Sequence, residues 1–158
     1  MTELALPKID KDTISRKNQI VSQLKKFTKD ENILSENEEI KPYETDGLAA
    51  YKQTPLAVVL PENTKEVSEI LKFCNEENIK VIPRGAGTGL SGGALPLQDA
   101  ILLGLGKFNK ILEIDFENKC VVTQPGVTNL GITHAVQHKG YYYAPDPSSQ
   151  LACSIWGN

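Results

Sequence analysis

The sequence predicts an α+β fold, with a βαβ unit followed by a mainly antiparallel β part and a helical leader in front. Three observations predict it. Residues 56–82 read as strand, helix and strand, and three more β-like runs follow between 100 and 124. Between those two regions, five of the twelve glycines crowd into residues 85–93. The 158 residues suffice for one domain with a real core, and a 40% hydrophobic, 23% charged composition is that of a globular chain. Charge divides the chain into a leader over 1–50 and a folded part over 51–158. Nine Lys/Arg and ten Asp/Glu fall within residues 1–53, a stretch with the single glycine Gly47.

Taken in order, Ile14, Ile20, Val21, Leu24 and Phe27 lie on one helical stripe, which predicts a helix over 13–29 capped by Asp12 or Thr13. Asp46-Gly47 signals a turn, and Glu36, Glu38 and Glu39 read as a solvated face. Leu56 to Leu60 is a short, continuous apolar run, as in a strand covered on both faces, and Pro61 ends it. Asn63 with Glu66 resembles a capping box. Val67, Ile70, Leu71 and Cys74 follow at amphipathic spacing, which predicts a helix over 64–77. Lys80 to Ile82 completes a βαβ unit with parallel strands. Runs at 100–105, 111–114 and 120–124, separated by polar turns, predict an antiparallel meander. A helix over 128–139 then ends at Gly140, and Tyr141 to Ala144 reads as a last strand.

Composition excludes several functions. Seventeen basic against twenty acidic residues leave a net charge of −3, with no basic run longer than two, which argues against nucleic-acid recognition by charge. No stretch approaches the ~18 apolar residues of a membrane span, and the N-terminus, with Glu3, Asp10 and Asp12, lacks the apolar segment of a secretory signal. Cys74, Cys120 and Cys153 are widely spaced without a Cys-x-x-Cys, so no disulfide framework is expected and a cytoplasmic location fits.

The glycine cluster carries the chemistry. Without Cβ atoms the backbone can take positive φ and bring successive N–H groups into one concavity, a nest for phosphate oxygens. Arg84 at its edge can add a charged donor. Gly87-Thr-Gly89-Leu-Ser-Gly92 spells G-x-G-x-x-G, but a dinucleotide fingerprint opens a helix, and Gly92-Gly93-Ala94-Leu95-Pro96 is a poor first turn. The loop also lacks the Gly-Lys-Ser/Thr ending of a P-loop. What remains is a loop that holds a pyrophosphate without a helix behind it, or a glycine-rich turn with no ligand.

Pro83-Arg-Gly-Ala-Gly-Thr-Gly-Leu-Ser-Gly-Gly93 resembles the pyrophosphate loop of FAD-linked oxidases of the vanillyl-alcohol-oxidase (PCMH) type. Further segments resemble the FAD-binding subunits of bacterial glycolate oxidases: Pro42 to Gly47, Leu95-Pro-Leu97, Gln124-Pro-Gly126, Tyr142 to Gln150 and Ala152 to Ile155. The similarity runs from about Leu34 to Asn158. It implies an incomplete PCMH-type FAD-binding domain over 51–158. Arg84, Gly85, Ala86, Gly87, Thr88, Gly89, Leu90, Ser91 and Gly92 would wrap the pyrophosphate, and Pro147, Ser148, Ser154, Gly157 and Asn158 would flank the flavin. Thr88 stands where covalent relatives carry histidine, which implies non-covalent FAD. The implied reaction is oxidation of a 2-hydroxy acid, glycolate or D-lactate, by hydride transfer to flavin. Electrons would leave through other oxidase subunits, an iron–sulfur subunit among them, and through these the protein would sit peripherally on the inner membrane.

Two departures shape the expectation. The family reads Ser-Ile-Gly-Gly-Asn where this chain has Ser154-Ile155-Trp156-Gly157-Asn158, and an indole replaces a hydrogen at a point of close approach. The chain also ends within that motif, without the substrate-binding cap that supplies the family's catalytic base and metal ligands. A fragment is therefore expected, with weak or absent FAD binding, no turnover and no catalytic residue of its own. The alternative is a non-catalytic nucleotide-binding or interaction module. His134 and His138 stand four apart on a predicted helix but lack a third ligand, so no metal site is expected.

Overall fold

In a computed structural model, which describes residues 7–157, the chain builds a mixed four-stranded sheet and a separate two-stranded one. Strands β1 (Ile33–Leu34), β2 (Ala57–Val59), β3 (Lys80–Arg84) and β4 (Ala100–Gly104) lie in the order β1-β2-β4-β3. β4 is parallel to both β2 and β3, and β1 is antiparallel to β2. The βαβ unit of the sequence is therefore present, but its two strands do not touch, because β4 enters between them. This corrects the expected three-run meander. Only β5 (Ile111–Asp115) and β6 (Cys120–Thr123) pair antiparallel. The all-buried pattern of β4 belongs to a central strand covered on both faces, whereas β6 alternates between half-buried and exposed residues.

The two sides of the sheet separate by alternation. Ala57, Val59, Ile101 and Leu103 face a core shared with Ile70 and Cys74 of α4 (Thr64–Glu76). Val58 and Leu102, paired across β2 and β4, face the opposite side and meet Ile40 of α3 (Asn37–Ile40). Asn63 caps α4 by accepting from Glu66 N at 3.0 Å. β3 runs two residues past the expected end at Ile82, because Pro83 stands on an edge strand where a missing N–H is tolerated.

The leader differs from the expected single helix over 13–29. It is α1 (Lys11–Ser15) and α2 (Lys17–Leu24), joined at Arg16 and capped by Asp10, whose carboxylate accepts from Asp12 N at 2.9 Å. Its stripe is as expected: Ile20 and Leu24 are buried, with Ile14, Val21 and Phe27 packed beside them in the α4 core. Residues on both sides of position 50 thus share one core. The acidic run does more than face solvent, since Glu36 and Glu39 form the reciprocal capping box of α3, and Glu39 accepts from Glu36 N at 3.2 Å. Helix α5 (Asn129–Val136) is capped by Thr128, continues as a 3-10 turn and ends at Gly140, whose φ is 76°. Residues 141–144 are irregular rather than a strand: Tyr143 N donates to Thr133 Oγ1 on α5, so no neighbouring strand receives them.

Candidate functional site

The parallel strands β2, β3 and β4 end on the same side, and the glycine loop leaves β3 there. In open parallel arrangements ligands gather beyond the carboxyl ends of strands. Residues 85–93 form turns and bends without a helix. Among the described residues, none of their backbone N–H groups donates a hydrogen bond within the chain. A row of unsatisfied donors on a loop with Gly87 and Gly92 at φ 74° and 75° provides the free amides and positive-φ glycines from which anion nests are built.

Three close approaches shape that loop. Gly47, a turn residue in the sequence, lies beneath it, where a Cβ would stand 2.6 Å from Thr88 O and 2.7 Å from Gly89 O. A Cβ on Gly87 would stand 2.5 Å from Arg84 Nε. A Cβ on Gly85 would collide with Ser154 Oγ and touch the Trp156 side chain. Gly126 packs equally tightly against the carbonyl of Leu105, and its own N–H reaches Phe108 O at 2.8 Å.

Arg84 is engaged elsewhere than the sequence suggested. Its guanidinium is buried, donates to the carbonyls of Tyr43 (3.0 Å) and Thr45, and lies 5.9 Å from the centre of the Tyr43 ring. Burial lowers its pKa, and the charges of Asp46 and Tyr43 work against that shift. Arg84 therefore ties the 43–46 segment to the root of the loop. Asp46 beside it is buried, accepts from Leu48 N at 2.9 Å through one oxygen and leaves the other unpartnered.

A cleft of about 190 Å³ opens at the loop, lined by Pro83, Gly85 to Gly89, Gly93, Ala94, Ser154 and Trp156. Of the expected site residues the structure brings Gly85, Ala86, Gly87, Thr88, Gly89 and Ser154 together. Leu90, Ser91 and Gly92 fall outside the cleft lining, and Leu90 is 72% exposed. Pro147 and Ser148 form a turn closed by Gln150 N on Pro147 O and do not line it either. Gly157 closes the 3-10 turn from Ile155, and Asn158 lies outside the described residues.

Ser154 is held by a bridge to Thr128 and by Ile155 N on Val127 O, so the 153–156 segment is fixed along the start of α5. Its hydroxyl is buried and has no partner. A buried polar atom without a partner, on the wall of a cleft whose other wall is unsatisfied amides, is what a diphosphate would satisfy. The residues present thus fit the phosphate part of a dinucleotide. Sequence reasoning missed Gly47 and Asp46 as parts of this site, although both stand in the resembling segment Pro42 to Gly47. Among the described residues no group of three or more His, Cys, Asp or Glu could hold a metal, and His138 packs edge-on against Phe116 at 5.8 Å. Burial pushes the Cys74 thiol up to about 11, which leaves it inert. Among the described residues no helix is long and apolar enough to cross a membrane.

Comparison with known proteins agrees with this geometry. The chain is 47% identical over 154 residues to the glycolate oxidase subunit GlcD of Escherichia coli strain K12, covering 98% of this chain and 30% of that protein. It is 32% identical over 138 residues to the mitochondrial D-2-hydroxyglutarate dehydrogenase of Arabidopsis thaliana, covering 87% of this chain and 25% of that one. Among solved structures, 4-ethylphenol oxidase from Gulosibacter chungangensis superposes with a TM-score of 0.79 at 25% identity, over 98% of this chain and 30% of the oxidase. The chain thus spans less than a third of the length of these relatives. The model of the FAD binding domain family matches residues 55–158, which include the glycine loop, the cleft and the 153–156 segment. The chain belongs to the FAD binding domain family.

Proposed function

We propose that this chain is the diphosphate-holding part of an FAD-dependent oxidoreductase acting on a 2-hydroxy acid, glycolate in the first place and D-lactate as the neighbouring choice. The observation that carries the reading is the pairing of unsatisfied amides at 85–93 with the partnerless hydroxyl of Ser154 across one cleft. Bound flavin supplies the acceptor for a hydride from the carbon that bears the hydroxyl. This chain's residues bind and orient. The amides of Gly85 to Gly89 donate to phosphate oxygens, Ser154 donates from the opposite wall, and Gly47 lets the 43–47 segment support the loop from below. Arg84 fixes the loop's root without contacting the ligand. Thr88, standing where covalent relatives carry histidine, supports non-covalent FAD.

Substrate contact, the base and the electron path through partner subunits belong to the longer polypeptide and its assembly, in the cytoplasm or peripheral to the inner membrane. With walls around the diphosphate alone, the chain itself binds FAD weakly. Equilibrium dialysis at high FAD concentration tests this. Saturable binding, competed by inorganic pyrophosphate and fully released by acid precipitation, is expected. Gly47→Ala, which drives a methyl group into Thr88 O and Gly89 O, should weaken it by about tenfold or more. Binding that pyrophosphate does not compete, or that Gly47→Ala leaves unchanged, would overturn the reading.

A further inference from the structure

The chain's single tryptophan stands where two unlike cavities meet. On one side is the glycine-loop cleft. On the other lies an apolar groove of about 360 Å³, walled by Val67 and Leu71 of α4, Val81 of β3, and Leu103, Leu105 and Phe108. Pro83 and Trp156 line both cavities. The indole is anchored at its root: Trp156 N donates to Pro125 O at 3.1 Å, and its Cβ and Cδ1 lie 3.4 and 3.5 Å from where a Cβ on Gly85 would stand. Its side remains 51% exposed, so the ring projects between the cavities and fills no core.

We propose that Trp156 partitions a single dinucleotide trough into a diphosphate cleft and a groove for an aromatic ring, and so determines which ligands the chain takes. The inference rests on the diphosphate reading of the glycine loop. The two cavities match the two halves of such a ligand in chemistry. Free main-chain donors and the Ser154 hydroxyl suit phosphate oxygens. A groove of valine, leucine and phenylalanine suits a fused ring, whose burial stabilises in proportion to the apolar area covered. With the indole in place, a ligand that ends at its diphosphate enters the cleft, whereas one that carries a ring beyond the diphosphate must leave that ring in solvent. Leu71, 44% exposed, lines the groove and offers an open apolar face to a ring laid there.

The test titrates inorganic pyrophosphate and FAD separately into the wild type, Trp156→Gly, Trp156→Ala and the double variant Trp156→Ala with Leu71→Glu. Calorimetry is the readout, and circular dichroism confirms that each variant is folded. The alanine variant serves if the glycine variant unfolds. Pyrophosphate is expected to bind all four, and the ratio of FAD to pyrophosphate affinity to rise at least about tenfold over the wild type in both single variants. The carboxylate of Leu71→Glu should abolish that gain. In the wild type, the only tryptophan's emission should shift as pyrophosphate fills the cleft beside it. Pyrophosphate binding with an FAD-to-pyrophosphate affinity ratio unchanged or lowered by loss of the indole would overturn the partition and leave the diphosphate reading standing. A gain that survives Leu71→Glu would overturn the groove as the ring's position. Failure of both ligands to bind any variant would overturn the two readings together.

Discussion

Ser154 separates stability from binding at a single atom. Its hydroxyl is buried with no partner, so removing it takes away an unsatisfied group and should leave stability within about 0.5 kcal/mol. If the hydroxyl donates to a phosphate oxygen, Ser154→Ala should weaken pyrophosphate binding by roughly three- to tenfold, the worth of one hydrogen bond. Calorimetry beside thermal unfolding checks this, and an unchanged affinity would remove Ser154 from the cradle. At this scale the sequence was legible where composition carries the signal, as in the density of glycines, and silent where the cause is tertiary. Gly47 reads as a turn residue because only the folded chain puts it under Thr88 and Gly89. Arg84 beside a phosphate loop suggests a ligand donor. The carbonyls of Tyr43 and Thr45, some forty positions earlier, claim the guanidinium instead.

Among elements, the α1–α2 pair shows how periodicity outlives errors of boundary. The stripe of Ile20, Leu24 and their neighbours is legible because burial on one face needs that spacing, whatever the break at Arg16. Ile20→Ala should therefore destabilise by about 2–4 kcal/mol, a core-sized effect from a segment with the charge density of a solvated leader. Denaturant unfolding measures it, and a loss below about 1 kcal/mol would mean that α2 is not integral to the core. β4 was the element least legible. Its apolar run identifies a strand, but the choice between joining β5 in a meander and entering between β2 and β3 depends on pairing partners that no local pattern encodes. β1, two residues long, carries no period at all.

For the whole molecule, one latch joins the N-terminal segment to the sheet. Asp99, buried, accepts from Asp10 N and Lys80 Nζ, each at 2.6 Å. Burial works against its charge, but the hydrogen bonds from Lys80 and Asp10 and the lysine's charge outweigh it and hold the carboxyl below its ordinary 3.8. A lowered folded-state pKa means that this contribution is complete above the unfolded value and is lost as pH falls through the folded one. Thermal midpoints should thus drop below about pH 4. Asp99→Asn should be less stable at neutral pH by about 2 kcal/mol and show a shallower acid decline. An acid limb identical in both proteins would exclude the latch.

The placement of β4 at the centre of the sheet also sets an order of assembly. β2 and β3 are made first yet have no edge to share, and both wait for a strand that follows them in the chain. The parallel pairings close loops of about twenty residues for β3–β4 and about forty for β2–β4, which makes this sheet slower to form than the β5–β6 hairpin, a local pair that can close on its own within microseconds. During synthesis the glycine loop therefore leaves the ribosome ahead of the strand that pairs with β3, and β3 gains its parallel neighbour only after β4 has emerged.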